Sequence, residues 1–387
     1  MKILMVLDHE FPPDIRVENE IEALISKGNE VHVACYTREN KVLEETFKGA
    51  FVHRRKISKL TYKSSVACLK FPLYFNFWRN FLNPLVASNK IDAIHIHDLP
   101  LAKIGYDFSR KYGLKFVLDL HENWPAMLRM ATHTNTFLGR LLSSNKQWEK
   151  YELNYCNKAN TVIVVVEEAK ERLLKLGIEK DKIQVVSNTL NIEHFELPKS
   201  KPDSDFITLL YAGGINKHRG LQYVIEGIKF LSDLSVPVRF YVVGSGSYLD
   251  ELKSFAVRNG VEKRVYFEGW KSYEEMQIYI GNADICLIPH IKSDHTDSTM
   301  PHKLFQYMYA GKPVIASNCK PIERVVNQTD SGLIYAFDDV ENFAECVKRI
   351  MKNKSRYQQM QENGTIAVRN LYNWMIDGKL LNAIYAE

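Results

Sequence analysis

The residues best placed to do chemistry lie in the stretch DHTDSTMPHKLFQYMYAGKPVIAS, residues 294–317. Ser298 or Thr299 can cap a short helix there, Pro301 suits its first position, and a glycine then ends it. Free backbone N–H groups at the start of such a helix, with Lys303 close by, favour a bound phosphate. An ordinary loop, helix and strand with a surface lysine is the alternative.

A second basic group follows a glycine turn in YAGGINKHRG, residues 211–220. Its cations, among them Lys217 and Arg219, stand between a predicted strand and a predicted helix, where they can neutralise a diphosphate leaving group. A solvated basic turn is the alternative. Residues 242–253, VVGSGSYLDELK, form only part of a dinucleotide fingerprint, because Leu249 stands where a third glycine is needed. They indicate a βα turn of a nucleotide-binding type of fold.

Histidine and carboxylate residues end two predicted strands in the first half, in HIHDLPLA and DLHENWP. Histidine transfers protons near neutral pH. His121 with Glu122 is the better site candidate, because a loop begins directly after them. His97 with Asp98 is as readily structural. No pair of cysteines or histidines has metal-ligand spacing, so no metal site is predicted.

The first predicted loop, DHEFPPDIRVENE, places Asp14 and Arg16 after two stiffening prolines. These residues stand where a ligand would approach the end of the first strand. Arg16 can meet an anion there, or it can pair with Glu20 one helical turn later. The sequence leaves both interpretations open.

The stretch 54–82 is first basic and then aromatic. Such a segment can lie in a membrane interface with its lysines on anionic headgroups. The alternative is an amphipathic helix packed on the sheet of the first domain. Both interpretations stay open at this point.

Two alternating series of strands and helices must position these residues. Short β-branched runs between helices predict doubly wound α/β domains, each with a parallel sheet covered on both faces. The first domain is predicted over 1–197 and the second over 206–367, with the polar segment LPKSKPDSD between them. A helix at about 368–387 is expected to cross back to the first domain. We expect the carboxyl ends of both sets of strands to line a central cleft.

Composition excludes several classes of protein. The 387 residues are 45% hydrophobic and 25% charged, typical of a globular protein. A net charge of +5 does not argue for nucleic acid as a partner. The six cysteines are interpreted as reduced core residues. No apolar run is long enough for an export signal or a membrane span, so we expect a cytoplasmic protein.

Together, these motifs resemble those of the retaining glycosyltransferases of family 4, the glycosyl transferases group 1, which have the GT-B fold. The resemblance covers nearly the whole chain and keeps the order of the motifs. The segments that carry it are KILMVLDHEFPPDIRVENEIEALISKGNEVHV, DLHENWP, YAGGINKHRGL, FEGW and MPHKLFQYMYAGKPVIAS. It implies an N-terminal acceptor-binding domain and a C-terminal domain that binds a UDP- or GDP-sugar.

The chain departs from that family at two places. The family's two glutamates, separated by seven residues, are replaced by Ser298 and Gln306. Gln306 can still hydrogen-bond the donor ribose, but it loses the charge-assisted bond of a carboxylate. In the glycine turn, Gly214 stands for the family's arginine and Arg219 for its lysine. Lys303, with Lys217, is expected to supply the missing positive charge.

The resemblance assigns roles to the candidate residues. The expected catalytic residues are His121, Arg219 and Lys303. The residues expected to bind the donor are Gly213, Gly214, Lys217, Gly244, Trp270, Thr299, Met300, Pro301, His302 and Gln306. Those expected on the acceptor side or at a phosphate are Asp14, Arg16 and Glu122. No cofactor besides the donor, and no metal, is expected.

The predicted reaction is transfer of a sugar to a glycan or lipid-linked acceptor, with retention, in surface polysaccharide synthesis of the bacterial type. The enzyme is expected in the cytoplasm or at the inner face of the plasma membrane. One alternative is a non-catalytic GT-B protein that binds a nucleotide sugar or a partner transferase, which Gln306 favours. The other is a nucleotide-sugar epimerase, for which only Glu122 is a good acid/base candidate.

Overall fold

The computed structural model describes residues 1–130, 143–196 and 205–386. Two compact units are present. The first unit is Met1–Asn188 with Met375–Glu387, and the second unit is Thr189–Trp374. Except for Asp205, the predicted linker 197–205 lies outside the described residues. The predicted fold class, α/β with two Rossmann-like domains of the GT-B type, is confirmed.

The sheet of the first unit has eight described strands in the order β3-β4-β2-β1-β5-β6-β7-β8. Neighbours are parallel except β3 and β4, which form an antiparallel hairpin at the edge that the sequence did not predict. Its turn is at Lys48 and Gly49, both with positive φ, as tight hairpin turns require. The strands are β1 Lys2–Leu7, β2 Glu30–Thr37, β3 Glu44–Phe47, β4 Ala50–Lys56, β5 Ala93–His97, β6 Lys115–Leu120, β7 Thr161–Val164 and β8 Ile183–Val185.

The helices before residue 189 have buried apolar residues, except α2, in which no residue is buried. They are α1 Ile15–Ile25, α2 Lys59–Lys63, α3 Leu73–Asn89, α4 Ala102–Tyr112, α5 Trp124–Met130, α6 Asn145–Lys158 and α7 Glu167–Lys175. No helix in the described ranges is long and apolar enough to span a bilayer. All six cysteines are buried and free of disulfides, as predicted.

Most of the aromatic side chains in the stretch 54–82 point inward. On α3, the residues Tyr74, Phe75, Trp78 and Phe81 are buried. The Trp78 ring lies 6.4 Å from that of Tyr36 on β2, so this helix packs on the first unit's own sheet, which was the alternative to a membrane interface. The exposed large apolar side chains of this stretch are Leu60, Val66, Phe71 and Leu73, so none lies beyond the first residue of α3.

Arg54 also lies inside the first unit, although the sequence grouped it with the basic surface. It is a β4 residue with 4% of its surface exposed. Its guanidinium donates to the carbonyl oxygen of Phe11 at 2.8 and 2.9 Å and pairs with Glu45. The Arg54 guanidinium therefore connects the first βα loop with the edge hairpin.

The second unit has a six-stranded parallel sheet in the order β11-β10-β9-β12-β13-β14. Its strands are β9 Ile207–Ala212, β10 Val238–Val243, β11 Val265–Gly269, β12 Ile285–Ile288, β13 Val314–Ser317 and β14 Gly332–Tyr335. The remaining helices are α8 Leu221–Asp233, α9 Leu249–Arg258, α10 Tyr273–Asn282, α11 Lys303–Tyr309, α12 Lys320–Thr329, α13 Val340–Lys352, α14 Lys354–Asn370 and α15 Trp374–Tyr385. From Met375 onward, α15 belongs to the first unit.

The structure corrects the predicted start of the short helix α11. It begins at Lys303, two residues after Pro301, and no side chain caps it. The Ser298 hydroxyl is buried and donates to the carbonyl oxygen of Asp294 at 2.8 Å, and Thr299 is extended. The predicted cap is therefore wrong, because local turn bonds have already taken the Ser298 hydroxyl. The predicted end, at a glycine with positive φ, is confirmed.

Candidate functional site

Two glycine turns of the second unit touch backbone to backbone. Gly213 follows β9 and Gly244 follows β10, with φ values of +139° and +138°. A Cβ on Gly244 would lie 2.0 Å from the carbonyl oxygen of Gly213, so a side chain cannot fit. The amide of Gly213 donates to Val243 at 2.8 Å, and that of Ile215 donates to Ser245 at 2.9 Å. The turn after β9 is therefore fixed by the turn after β10.

Lys303 extends from α11 over the turn that follows β9. A Cβ on Gly213 would lie 2.3 Å from the Lys303 Nζ, and this ammonium is 4.0 Å from the ring centroid of Tyr211. In the described part of the chain, no carboxylate lies within ion-pair distance of it. Burial, together with the positive charge of Arg219, holds the pKa of Lys303 well below its ordinary value. A ligand with negative charge would reverse that shift.

Arg219 stands beside the end of β12. Its Nη1 lies 3.1 Å from the Nε2 of His290, and burial followed by the Arg219 charge lowers the pKa of that imidazole well below its usual range. His290 is therefore neutral and accepts the hydrogen bond. The Nε of Arg219 is buried, and it has no hydrogen-bond partner in the ranges that the structure covers. Gly220 permits this approach, since a Cβ there would lie 1.8 Å from the carbonyl oxygen of Pro289.

The other residues expected to bind the donor are spread along the same end of the sheet. Gln306 is half-buried and lies beside Tyr273. Trp270 follows the edge strand β11 and is 74% exposed. The carbonyl of Gly214 accepts from the Tyr211 hydroxyl at 2.7 Å. The remaining placements are an exposed Lys217, a buried Met300 and half-buried Thr299, Pro301 and His302.

The first unit buries a charged cluster at the carboxyl ends of its central strands. Arg16, 6% exposed, holds the Asp119 carboxylate through its Nη2 at 2.9 and 3.1 Å, and its Nε is 3.0 Å from Glu20. Arg16 keeps the pKa of Asp119 well below its usual range, although burial opposes this. Burial raises the pKa of Glu20 to about 8. Of the two interpretations of Arg16, the pair with Glu20 is the one present.

His121 lies on this cluster and is protonated at neutral pH. Its Nε2 is 3.0 Å from the Oδ2 of Asp119 and 3.2 Å from the Nδ1 of His97. Burial opposes the charged ring, but the Asp119 and Asp98 carboxylates outweigh it and raise the pKa of His121 to about 9. His121 can therefore donate hydrogen bonds and supply positive charge, but it is not suited to accept a proton.

His97, which the sequence left open between a site and a structural role, belongs to this buried cluster, and sequence reasoning missed His95 and Tyr385 beside it. The rings of His95 and His97 stack with centroids 4.4 Å apart, and the His95 Nδ1 is 2.8 Å from the Tyr385 hydroxyl. Two histidines at i and i+2 on a strand share one face, so the spacing in HIHD was a usable signal. No sequence signal connected Tyr385 with these histidines, because it lies far from them along the chain.

Four donor atoms of the cluster could hold a divalent cation. One atom each from Glu20, His95, His97 and Asp119 lie within 4.8 Å of one another. Carboxylate and imidazole are suitable ligands for such an ion. Arg16 already contacts both carboxylates, however, and supplies the positive charge that an ion would bring.

The last two acceptor-side candidates flank His121 in space or in sequence. Asp14 caps α1, accepting from the amides of Arg16 at 3.0 Å and Val17 at 3.2 Å. Its pKa is lowered because hydrogen bonding to His9 and the charge of His121 outweigh its burial. Glu122 is half-buried and directly follows His121.

Family models match both halves of the chain. The model for Glycosyltransferase Family 4 matches residues 15–194, and that for Glycosyl transferases group 1 matches 193–366. A lipopolysaccharide 1,6-galactosyltransferase of Salmonella typhimurium is 23% identical over 62% of this chain and 67% of its own length. An amylovoran biosynthesis glycosyltransferase of Erwinia amylovora is 24% identical over 48% of this chain. That alignment spans 46% of the Erwinia protein's length.

Solved structures share the fold of the whole chain. Sucrose-phosphate synthase of Thermosynechococcus elongatus superimposes with a TM-score of 0.81 at 17% identity, over 100% of this chain and 98% of that one. The Anabaena protein Alr3699/HepE in complex with UDP gives a TM-score of 0.73 at 14% identity, over 100% of both chains. These likenesses show the GT-B fold.

Proposed function

We propose that this chain, whose two halves match glycosyltransferase families, moves a sugar from a nucleotide diphosphate sugar to a glycan or lipid-linked acceptor. One observation carries the proposal. Lys303 lies over the glycine turn after β9, near enough to Arg219 for that charge to lower its pKa, and neither forms an ion pair with a carboxylate in the ranges described. A diphosphate is an anion of the right charge for such a place. The relatives in lipopolysaccharide and amylovoran synthesis support an acceptor in bacterial surface polysaccharide synthesis.

The two cations assist departure of the leaving group. The bond between the sugar's anomeric carbon and the diphosphate oxygen breaks, and an acceptor hydroxyl forms the new bond on the same face of the sugar. The acceptor proton passes to the departing phosphate oxygen, so no side-chain base is used. Lys303 and Arg219 stabilise the negative charge that develops on the diphosphate, which is the task a metal ion performs in other transferases.

The surrounding residues bind and orient the substrates in this proposal. We assign Gln306 to the ribose, and His121 and Glu122 to the sugar or the acceptor. Protonated His121 donates a hydrogen bond there. The remaining donor contacts are assigned to Gly213, Gly214, Lys217, Gly244, Trp270, Thr299, Met300, Pro301 and His302.

Thermal unfolding with a panel of UDP- and GDP-sugars tests donor binding. Binding to the folded state at a concentration of 100 Kd adds about 2.7 kcal/mol of stability, so one nucleotide should raise the Tm clearly. The same panel with Lys303→Ala separates binding at this site from binding elsewhere. If no nucleotide sugar raises the Tm of the wild-type protein, the proposal is wrong.

UDP affinity should fall as the pH rises. A bound diphosphate returns the lowered pKa of Lys303 toward its ordinary value, so complex formation takes up a proton between the free and the bound pKa. Calorimetry at several pH values from 8 upward, in buffers of different ionisation enthalpy, measures this uptake, since a terminal phosphate with a pKa of about 6 is already ionised there. Lys303→Met should abolish it. A wild-type protein that takes up no proton would contradict the assignment of Lys303.

Gln306→Glu should tighten nucleotide binding by about fivefold, because a bond to a charged acceptor contributes roughly 1 kcal/mol more than a neutral one. The Tyr273 hydroxyl can donate to either side chain, so the variant should fold. Calorimetry with UDP and with 2′-deoxy-UDP measures the change. The gain should be smaller for the deoxy nucleotide, and an equal gain for both would show that Gln306 does not face the ribose.

We further propose that the first unit attaches to anionic membranes through the exposed part of the stretch 54–82. Lys56, Lys59 and Lys63 are exposed there beside Leu60, which is 73% exposed. Replacing the three lysines by alanine should weaken binding to phosphatidylglycerol liposomes by up to about 10²-fold, at about 1 kcal/mol for each lysine near the surface. Co-sedimentation measures this. A matched change of Lys170, Lys175 and Lys180 should have no effect, and equal binding by both variants would contradict the attachment.

A further inference from the structure

The first unit contains a pocket of about 610 Å³ whose lining residues have no role in the reaction proposed above. It opens between α6, the start of α4 and the chain leading into α3. Its lining residues include four cations, and none of those described is acidic. The cations are Lys70, Arg79, Lys103 and Lys150. The pocket therefore favours a ligand with negative charge.

Apolar and aromatic side chains make up the rest of the lining. Phe71 is 55% exposed, whereas Phe75 beside it in the pocket is 4% exposed. Tyr151 and Tyr155 form a further wall, with ring centroids 4.5 Å apart. A ligand that fills both parts must be an amphiphile, with an anionic group joined to a hydrocarbon chain.

An ion pair with Asp107 holds two of the cations in place, whereas Lys150 can move toward a ligand. Arg79 and Lys103 share the carboxylate of Asp107, at 2.8 and 2.9 Å, which leaves one net positive charge on these three residues. Lys150 is exposed and makes no ion pair within the ranges described. A phosphate between Lys150 and this group would receive charge-assisted bonds from both sides.

The pocket adjoins the same end of the sheet as His121. The Tyr151 hydroxyl donates to the carbonyl oxygen of Pro100 at 3.1 Å and accepts from the amide of Lys103 at 2.8 Å. That turn begins at Asp98, whose carboxylate accepts from the amide of His121 at 3.2 Å. The pocket wall and the residue assigned to the acceptor are therefore both hydrogen-bonded to the same turn, residues 98–103.

We propose that this pocket binds the phosphate and the first carbons of the hydrocarbon chain of a lipid-phosphate acceptor. The proposal rests on the transferase function proposed above and names the class of acceptor. A concave pocket that places cations beside aromatic walls matches one phosphate and the start of one hydrocarbon chain, which is the chemistry of a single lipid phosphate. The sugar end of such a ligand would then extend along the turn at Pro100 toward His121.

Calorimetry with three probes tests this proposal. Farnesyl diphosphate has both the anion and the chain, inorganic pyrophosphate lacks the chain, and farnesol lacks the anion. Wild-type protein should bind farnesyl diphosphate at least about tenfold more tightly than either fragment. Lys150→Ala should weaken that binding about tenfold, the scale of one lost charge-assisted bond. Lys146→Ala changes an exposed lysine of the same helix that does not line the pocket, and it should bind as the wild type does.

Two further variants separate the pocket from the membrane surface. Phe71→Ser should weaken farnesyl diphosphate binding and leave pyrophosphate binding unchanged. Leu60→Ser should weaken liposome binding and leave farnesyl diphosphate binding unchanged, because Leu60 does not line the pocket.

Several results would overturn the pocket proposal. Equal effects of Lys150→Ala and Lys146→Ala, or pyrophosphate bound as tightly as farnesyl diphosphate, would each do so. Short-chain phosphatidylglycerol bound as tightly as farnesyl diphosphate would assign the pocket to general membrane lipid. None of these probes requires a nucleotide sugar, so such results leave the proposed transfer standing, whereas a failure of donor binding alone removes the transfer and not the pocket.

Discussion

Lys303→Ala and Arg219→Ala are each expected to slow sugar transfer by about 10²–10³-fold, the usual scale for removing one group that stabilises charge in a transition state. Each variant removes a positive charge at the glycine turn, where no described carboxylate competes for it. The loss should lie mainly in kcat, because the charge on the leaving diphosphate grows as the sugar bond breaks. Steady-state release of nucleoside diphosphate measures it.

Lys229→Ala is the matched control for these two variants. Lys229 lies in the same unit and pairs with Asp233 at 2.7 Å on an exposed surface. Its removal should change neither turnover nor stability by a measurable amount. Near-wild-type turnover in both Lys303→Ala and Arg219→Ala would show that the diphosphate binds elsewhere.

Asp119→Asn is expected to destabilise the first unit by about 3–5 kcal/mol, because it leaves the buried Arg16 guanidinium without its strongest partner. Asparagine has nearly the same shape, so the loss reports charge and not packing. The urea midpoint of the first unit's transition measures the effect. Glu149→Gln, which breaks an exposed pair with Arg129 in the same unit, should shift that midpoint very little.

The pH dependence of stability gives this prediction a second test. The folded pKa of His121, about 9, is above its unfolded value of about 6.5. Its stabilising contribution is therefore complete below about pH 6.5 and is lost as the pH rises through about 9. Glu20, whose pKa burial raises to about 8 in the folded protein, also lowers the stability as the pH rises, over a pH range below that of His121. Asp119→Asn should reduce the loss of unfolding free energy with pH that His121 causes. An unchanged dependence of stability on pH would contradict the coupling of these two side chains.

Local sequence pattern predicted much of the fold and placed the residues of the candidate donor-side site on the elements where the structure has them. Glycines directly after predicted strands identified the turns at Gly213 and Gly244, because backbone contact there leaves no room for a side chain. Arg219 was likewise predicted from local sequence, because it belongs to the run of basic residues that comes just before α8. Lys303 was predicted to lie close to the start of the short helix, although that start was predicted two residues too early.

Long-range contacts account for what the sequence did not predict. His290 contacts Arg219 across 71 positions of the chain, and Tyr385 contacts His95 across 290. No spacing rule connects such pairs. Arg16 was left open between an anion and Glu20, because its main partner, Asp119, lies 103 positions away. Whether the aromatic side chains of α3 are buried likewise depends on which face of the helix packs on the sheet, and composition alone does not predict that face.

We propose that the cations of the second unit stabilise a nucleoside diphosphate leaving group without a metal ion. The most direct measurement is release of UDP or GDP from a panel of nucleotide sugars with EDTA present, by wild-type protein and by Lys303→Ala. We predict slow hydrolysis of one donor by the wild type and a fall of about 10²-fold or more in the variant. Tm stabilisation without any release, or release that needs added Mn²⁺ and is equal in both proteins, would contradict the claim.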